Sequence, residues 1–212
     1  MKINEKRHLV LPIVTDLVTK KVEGKDVTEE VVRIYAHHTP VSREVFEANY
    51  RILAATKSAL ASKGSHYLMS SGPRIAALTL RDEGKKDAAA RGSFDEQGRV
   101  VDEETPAFFA ELKRLTMVLC PGQQGWDMLP IDAAIGAGKI DAEDWEEVAS
   151  SLVFFTCHYA MARKADRETT ANGTASLLGS SISSLAPTEF IASLPSWTPA
   201  APTMPVQSSI PS

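Results

Sequence analysis

Four places in this chain hold residue types that could do chemistry. They are the adjacent pair His37-His38, Cys157 beside His158, the run Gly136-Ala137-Gly138-Lys139, and the acid pairs Asp102-Glu103 and Glu146-Glu147. Two neighbouring histidines suggest a metal. In a strand, however, consecutive side chains point to opposite faces, so the pair can hardly share one ion. No second histidine pair and no carboxylate cluster at ligand spacing accompanies them. A nucleophilic Cys157 needs a base and an electropositive setting. His158 follows it directly and, on a helix, points about 100° away. Cys157 therefore reads as a small buried apolar residue, and His158 as a partly buried structural histidine. A phosphate loop needs glycine five residues before Gly138 and Ser or Thr after Lys139. Ala133 and Ile140 stand there instead, so the run reads as a helix C-cap. The acid pairs fall in a loop and on a polar helix face, where solvation explains them. No catalytic residue, metal ligand or cofactor is expected, and the chain is not expected to be an enzyme.

The elements that would carry these residues follow from the pattern of apolar positions. Leu9-Val10-Leu11-Pro12-Ile13-Val14 and Val31-Val32-Arg33-Ile34-Tyr35-Ala36-His37 are aliphatic and β-branched, which predicts two strands in a hairpin over about 8–38, with a short helix starting at Thr28-Glu29-Glu30 as the alternative. Pro12 lacks a ladder donor and favours an edge position. From Ser42, a plausible N-cap, the period changes to helical through Val45, Phe46, Ile52, Leu53, Ala59 and Leu60, until Gly64 ends the run. A short buried helix follows Gly72-Pro73. The stretch of about 82–105 is charged and glycine-containing with few large apolar side chains, and is expected to be a mobile loop. Thr105-Pro106 opens a helix whose buried face includes Phe108, Phe109, Leu112, Leu115 and Leu119. Met128 to Ile135 is read as another short helix. Asp141 caps a longer one with Trp145, Val148, Leu152, Phe155 and Tyr159 on its apolar face. The fold class expected is therefore mainly α: one helical domain over 1–194 with a small N-terminal β-hairpin, and a disordered Pro/Ser-rich tail over 195–212.

Composition narrows the function further. The 212 residues carry a formal net charge of -4. Lys and Arg are interspersed with acids, as in Arg81-Asp82-Glu83-Gly84-Lys85-Lys86-Asp87, so no nucleic-acid surface is expected. Cys120 and Cys157 are far apart and outside any Cys-x-x-Cys spacing, which favours a reducing compartment over a disulfide framework. No apolar run approaches the ~20 residues needed to span a bilayer. Leu9 to Val14 is too short for a signal-peptide core. A soluble cytoplasmic protein is expected.

The C-terminal end is different in kind. Ser183-Ser184-Leu185-Ala186-Pro187-Thr188-Glu189-Phe190-Ile191-Ala192-Ser193-Leu194-Pro195 is followed by Pro, Ser, Thr and Ala, and Glu189 is the last charged side chain. Phe190, Ile191 and Leu194 fall at helical spacing, with Trp197 just beyond Pro195. Glu189, Phe190, Ile191, Leu194 and Trp197 are the candidate partner-binding residues, since a short apolar motif with aromatic anchors suits docking into another protein. Such a turn can also fold back onto its own domain, and the two states can alternate.

This ending resembles that of the tail assembly chaperones of long-tailed bacteriophages. The similarity extends to His8-Leu9-Val10-Leu11-Pro12, His38-Thr39-Pro40-Val41-Ser42-Arg43-Glu44-Val45-Phe46-Glu47 and Gly72-Pro73-Arg74-Ile75-Ala76-Ala77-Leu78. Met128 to Ala134, Val153-Phe154-Phe155-Thr156-Cys157 and Ser184 to Leu194 share it too. The resemblance implies a non-enzymatic protein of the host cytoplasm, absent from the mature virion. It would hold the aggregation-prone tape measure protein soluble and help recruit tail tube subunits. In many relatives a programmed frameshift near the C-terminus makes a minor extended form that contacts the tail tube protein. The chain departs from the family pattern after Pro195, where Ser196-Trp197-Thr198-Pro199 replaces a Thr/Ser-rich end. Self-association is left open, and a minor structural virion protein for tail or head completion is the alternative reading.

Overall fold

The β-branched segments around Val10 and Ile34 form the two central strands in a computed structural model that describes residues 7–22 and 25–195. In chain order the elements are β1 (His8–Val22), β2 (Lys25–His38), α1 (Arg43–Ala48), α2 (Tyr50–Ser62), α3 (Ser65–Ser70), α4 (Gly72–Ala90) and α5 (Glu104–Arg114). Then come β3 (Thr116–Pro121), β4 (Trp126–Pro130), α6 (Ile131–Gly136), α7 (Ala142–Tyr159), α8 (Arg167–Leu177), β5 (Ser181–Ser183) and α9 (Pro187–Ser193). The expected tail from residue 196 onward, Trp197 included, lies outside the described residues.

The expectation of a mainly helical domain with a small hairpin is corrected. Five strands form one antiparallel sheet in the order β4-β3-β2-β1-β5, so the fold is a mixture of α and β. The physical reason lies in residues 115–130. Thr116-Met117-Val118-Leu119-Cys120 does not extend the helix before it but forms β3, with Thr116, Val118, Leu119 and Cys120 all buried. A strand covered on both faces has no polar alternation, and a short apolar run is then indistinguishable by period from helix. Trp126 to Pro130 likewise forms β4, and the helix expected from Met128 starts only at Ile131.

The expected mobile loop is also corrected over its first part, because α4 runs through to Ala90. Its charged second half is held by ion pairs: Asp87 with Arg51 and with Arg91, and Arg91 with Glu104 at 2.8 Å. Gly84 is no breaker here. A side chain at that position would collide with the Thr105 hydroxyl and the Asp102 carboxylate, so glycine lets α4 approach the start of α5. Residues 91–103 remain irregular, pinned by the Phe94–Val100 bridge and the Arg99–Asp95 ion pair.

The longer helices pack on one face of the sheet. Leu9, Leu11, Ala36, Val118 and Cys120 meet a core built from Ile52, Leu53, Leu60, Phe108, Leu112, Leu152, Val153 and Phe155. Helix α7 is central to it. Its start is fixed by a reciprocal capping box, in which the Asp144 amide donates to Asp141 Oδ1 (2.8 Å) and the Asp141 amide to Asp144 Oδ2 (2.9 Å). From Val14–Ile34 outward, β1 and β2 pair only with each other among the described residues, as a two-stranded ribbon.

Candidate functional site

Strand pairing divides the sheet residues between two faces. Val10 pairs with His37, Pro12 with Tyr35, Tyr35 with Leu119, and Leu119 with Met128. Paired residues share a face, so these side chains lie opposite the helical core. Val10 and Leu119 are nevertheless 2% and 0% exposed, although neither belongs to the core cluster beneath the helices. Something must cover them.

Over Leu119 the cover includes α9, which packs on β3 and β4. Phe190 meets the Tyr35 ring edge-on at 5.8 Å between centroids and the His37 ring at 5.7 Å, while Trp126 stands 5.9 Å from Tyr35. Two hydrogen bonds tie down the ends of the segment: His37 Nε2–H donates to the Leu185 carbonyl (3.1 Å) and Trp126 Nε1–H to the Pro195 carbonyl (3.1 Å). Pro187 sets the first turn and Glu189 Oε2 accepts from the Ala186 amide at 2.9 Å, which caps the helix start. No α9 side chain is fully buried; Phe190, Ile191 and Leu194 are all half-buried. This is a shallow seat. Aromatic pairs contribute about 0.5–1.5 kcal/mol each beyond area and a net hydrogen bond about 1 kcal/mol. Lifting the segment therefore costs on the order of a few kcal/mol, within reach of a binding partner.

His37 and His38 sit on opposite faces, as neighbours in a strand must. His37 lies under α9, and its ring stacks at a tilt 4.7 Å from His8. With Nε2–H donated to Leu185, its Nδ1 is a buried acceptor without a partner among the described residues. Burial first, and the neighbouring His8 second, push its pKa down to about 4. His38 faces the core. Thr116 Oγ1 gives its only proton to the Leu112 carbonyl (2.7 Å), so it accepts from His38 Nδ1–H (2.9 Å), and Nε2 is left bare. Burial and the two other histidines hold His38 down at about 3. Both rings are therefore neutral at pH 7, packed as polar core residues.

The remaining sequence candidates scatter. Cys157 is fully buried with its Sγ 3.5 Å from the Leu53 carbonyl, and desolvation pushes its thiol up to about 12. His158 Nδ1–H donates back to the Phe154 carbonyl at 2.8 Å, on the same helix. Gly138, at φ +64°, closes α6: the Lys139 amide bonds Ala134 O and the Gly138 amide bonds Ile135 O, the pattern of a Schellman cap. Asp102 receives the Thr105 amide, and Glu146 holds Arg81 bidentately at 2.8 and 2.9 Å. Among the described residues no group of three or more His, Cys, Asp or Glu is placed to hold a metal ion, and no helix is long and apolar enough to cross a membrane.

Of the five predicted partner-binding residues, the structure gathers Glu189, Phe190, Ile191 and Leu194 on and beside α9, and Trp197 lies outside the described residues. What sequence reasoning missed is the receptor: Tyr35, His37, Leu119 and Trp126 on the sheet. The signal present was the alternation of Tyr35 and His37 with Ala36, which assigns them to a second face. Comparison with protein-family models, with curated proteins and with solved structures finds no match.

Proposed function

We propose that this protein is a non-enzymatic tail assembly chaperone of a long-tailed bacteriophage. It binds the tape measure protein, keeps it soluble in the host cytoplasm and helps recruit tail tube subunits, without entering the finished virion. The observation that carries the reading is α9 itself: a short helix, none of whose side chains is fully buried, lies over an apolar, aromatic-rich sheet face. Such an element is suited to exchange. When it leaves its seat, Phe190, Ile191 and Leu194 become an amphipathic docking motif, and Tyr35 and Leu119 become open apolar surface. A long helical client coated by many copies needs only weak contacts from each, because repetition along one chain supplies avidity.

Co-expression with the tape measure polypeptide tests this. The full chain should raise the client's soluble yield, and a chain truncated after Ala186 should lose that effect. No rescue by the full chain would overturn the reading, and so would recovery of the protein as a stoichiometric component of purified particles. Undiminished rescue by the truncated chain would remove α9 as the docking element.

A further inference from the structure

The helical side of the molecule carries a second feature that α9 does not touch. Helices α3 and α4 form one wall of an open groove, and the first turns of α7 with the end of α8 form the other, around a volume of about 750 Å³. Its most exposed apolar side chains are Met69 at 57% and Leu78 at 59%, beside half-buried Leu178. Along the α7 wall stand Glu143, Glu146 and Glu147. Glu146 is paired with Arg81, while Glu143 and Glu147, one helical turn apart, have no ion pair among the described residues.

From this geometry we propose that the groove is a docking site for an amphipathic helix whose apolar face is bordered by Lys or Arg. The inference rests on the client-binding reading above for the source of that helix. Three properties select the occupant. First, the walls are helices with no open strand edge, so an added strand would find no ladder partners, whereas a helix brings its backbone already satisfied. Second, the charged groups of the lining, Arg74, Glu143, Glu146 and Glu147, stand on exposed wall positions rather than at its base, where the Ser150 hydroxyl accepts the Ala77 amide at 3.1 Å, unlike the convergent polar set of a small-molecule site. Third, with Glu146 held by Arg81, Glu143 and Glu147 remain without an ion pair among the described residues against the single lining cation Arg74, which calls for basic side chains at i and i+4 opposite them. That charge disfavours the other occupants. The chain's own segment beyond Pro195 has no Lys or Arg. A second copy docked face to face would set one acidic excess against another.

The test uses two fluorescent synthetic helices with the same Leu-rich face, one bordered by Lys and one by Glu, titrated with the full chain by anisotropy. The Lys-bordered helix should bind about tenfold more tightly, and its advantage should shrink as salt rises. The double substitution Glu143→Lys with Glu147→Lys should invert the preference. Met69→Ser with Leu78→Ser should weaken both peptides. All four positions are exposed, so circular dichroism of the variants should match the parent. Equal affinity for the two peptides, or an unchanged preference in the Lys variant, would overturn the proposal. So would a dimer in sedimentation velocity that Leu78→Ser dissolves, which would make a second copy the occupant. Tighter peptide binding by a chain truncated after Pro195 would assign the groove to the tail and overturn the proposal as well. If the peptides fail while the client is still solubilised, the groove alone is lost. If they bind while the client is not rescued, the client reading is lost and the groove stands.

Discussion

The two faces of the central sheet are built from the same strands and covered in opposite ways. On one face Leu9, Leu11, Ala36 and Val118 lie beneath long helices whose own side chains, Leu152, Val153 and Phe155, are fully buried in return. On the other, His37 and Leu119 are just as inaccessible, but the helix packed there, α9, buries no side chain completely. Burial in the resting state therefore does not distinguish a permanent core from a conditional one. The depth to which the cover is itself embedded does. The helix face is held by many mutually buried side chains, whereas the α9 face is held by a few ring contacts and two hydrogen bonds at the ends of the segment.

The largest effect expected is that of acid, and the adjacent histidines report on the two faces separately. Both are neutral when folded, with pKa values of about 4 and about 3 against an ordinary 6.5. Above pH 6.5 neither state takes up the proton and stability is complete. As pH falls below 6.5 the unfolded chain binds protons that the folded chain refuses, so stability declines toward pH 4 for His37 and on toward pH 3 for His38. The combined loss is on the order of several kcal/mol. His37 needs only the departure of α9 to be hydrated, whereas His38 needs the core opened. Amide protection around β3 and β4, referenced to the intrinsic exchange rate at each pH, should therefore fall at a higher pH than the global urea midpoint does. Coincident transitions would break the distinction between the faces. His37→Phe should flatten the first transition while leaving the second.

Next in size is a comparison of neighbours on β1. Leu9→Ala opens a cavity in the helix-covered core and should cost about 2–5 kcal/mol of global stability, read from urea denaturation. Val10→Ala, one residue on, should cost clearly less, because it deletes a smaller side chain from outside the helix-covered core cluster. Equal losses would mean that the sheet face opposite the helices is as rigid as the core.

The asymmetry between the faces also explains what is legible in the sequence. The helix face is: Ile52, Leu53 and Leu60 in α2, and Trp145, Val148, Leu152 and Phe155 in α7, repeat at helical spacing and are buried. Ser42 and Asp141 both cap as their types suggest, each accepting the amide three residues on. The sheet beyond the hairpin is not. The strands β3, β4 and β5 are only 6, 5 and 3 residues long. Such runs are too short to establish a period, and β3 is hidden by burial on both sides. The charged second half of α4 reads as a loop because it buries only small residues, Gly84 and Ala88, and its ion pairs reach Arg51 and Glu104, partners distant in sequence. The docking motif is visible as a motif. Its seat is not, because Tyr35, Leu119 and Trp126 come together only through pairings between three strands.

Phe190→Ala should act on the α9 face alone. It removes the ring that touches both Tyr35 and His37, at a cost of about 1–2 kcal/mol in the docking of α9. That loss should raise binding of a hydrophobic dye at neutral pH while the global urea midpoint moves little. A global loss as large as that of Leu9→Ala would show that α9 belongs to the main cooperative unit.

The smallest effect is the sharpest on mechanism. The Glu189 carboxylate accepts the Ala186 amide and caps the start of α9. Glu189→Ala removes that cap, worth roughly 0.5–1 kcal/mol of helix stability, without altering the ring contacts of Phe190. If α9 docks as a preformed helix, the docked state should weaken by that amount, and exchange of the Phe190 and Ile191 amides should quicken about two- to fivefold. If instead the segment is held in place by its two end hydrogen bonds and the helix is incidental, exchange of those amides should not change. Because the cap lies outside the ring contacts, a measurable effect on client rescue from this substitution alone would mean that the client reads the helical form of the motif. An unaltered rescue would mean that it reads the side chains in whatever conformation they arrive.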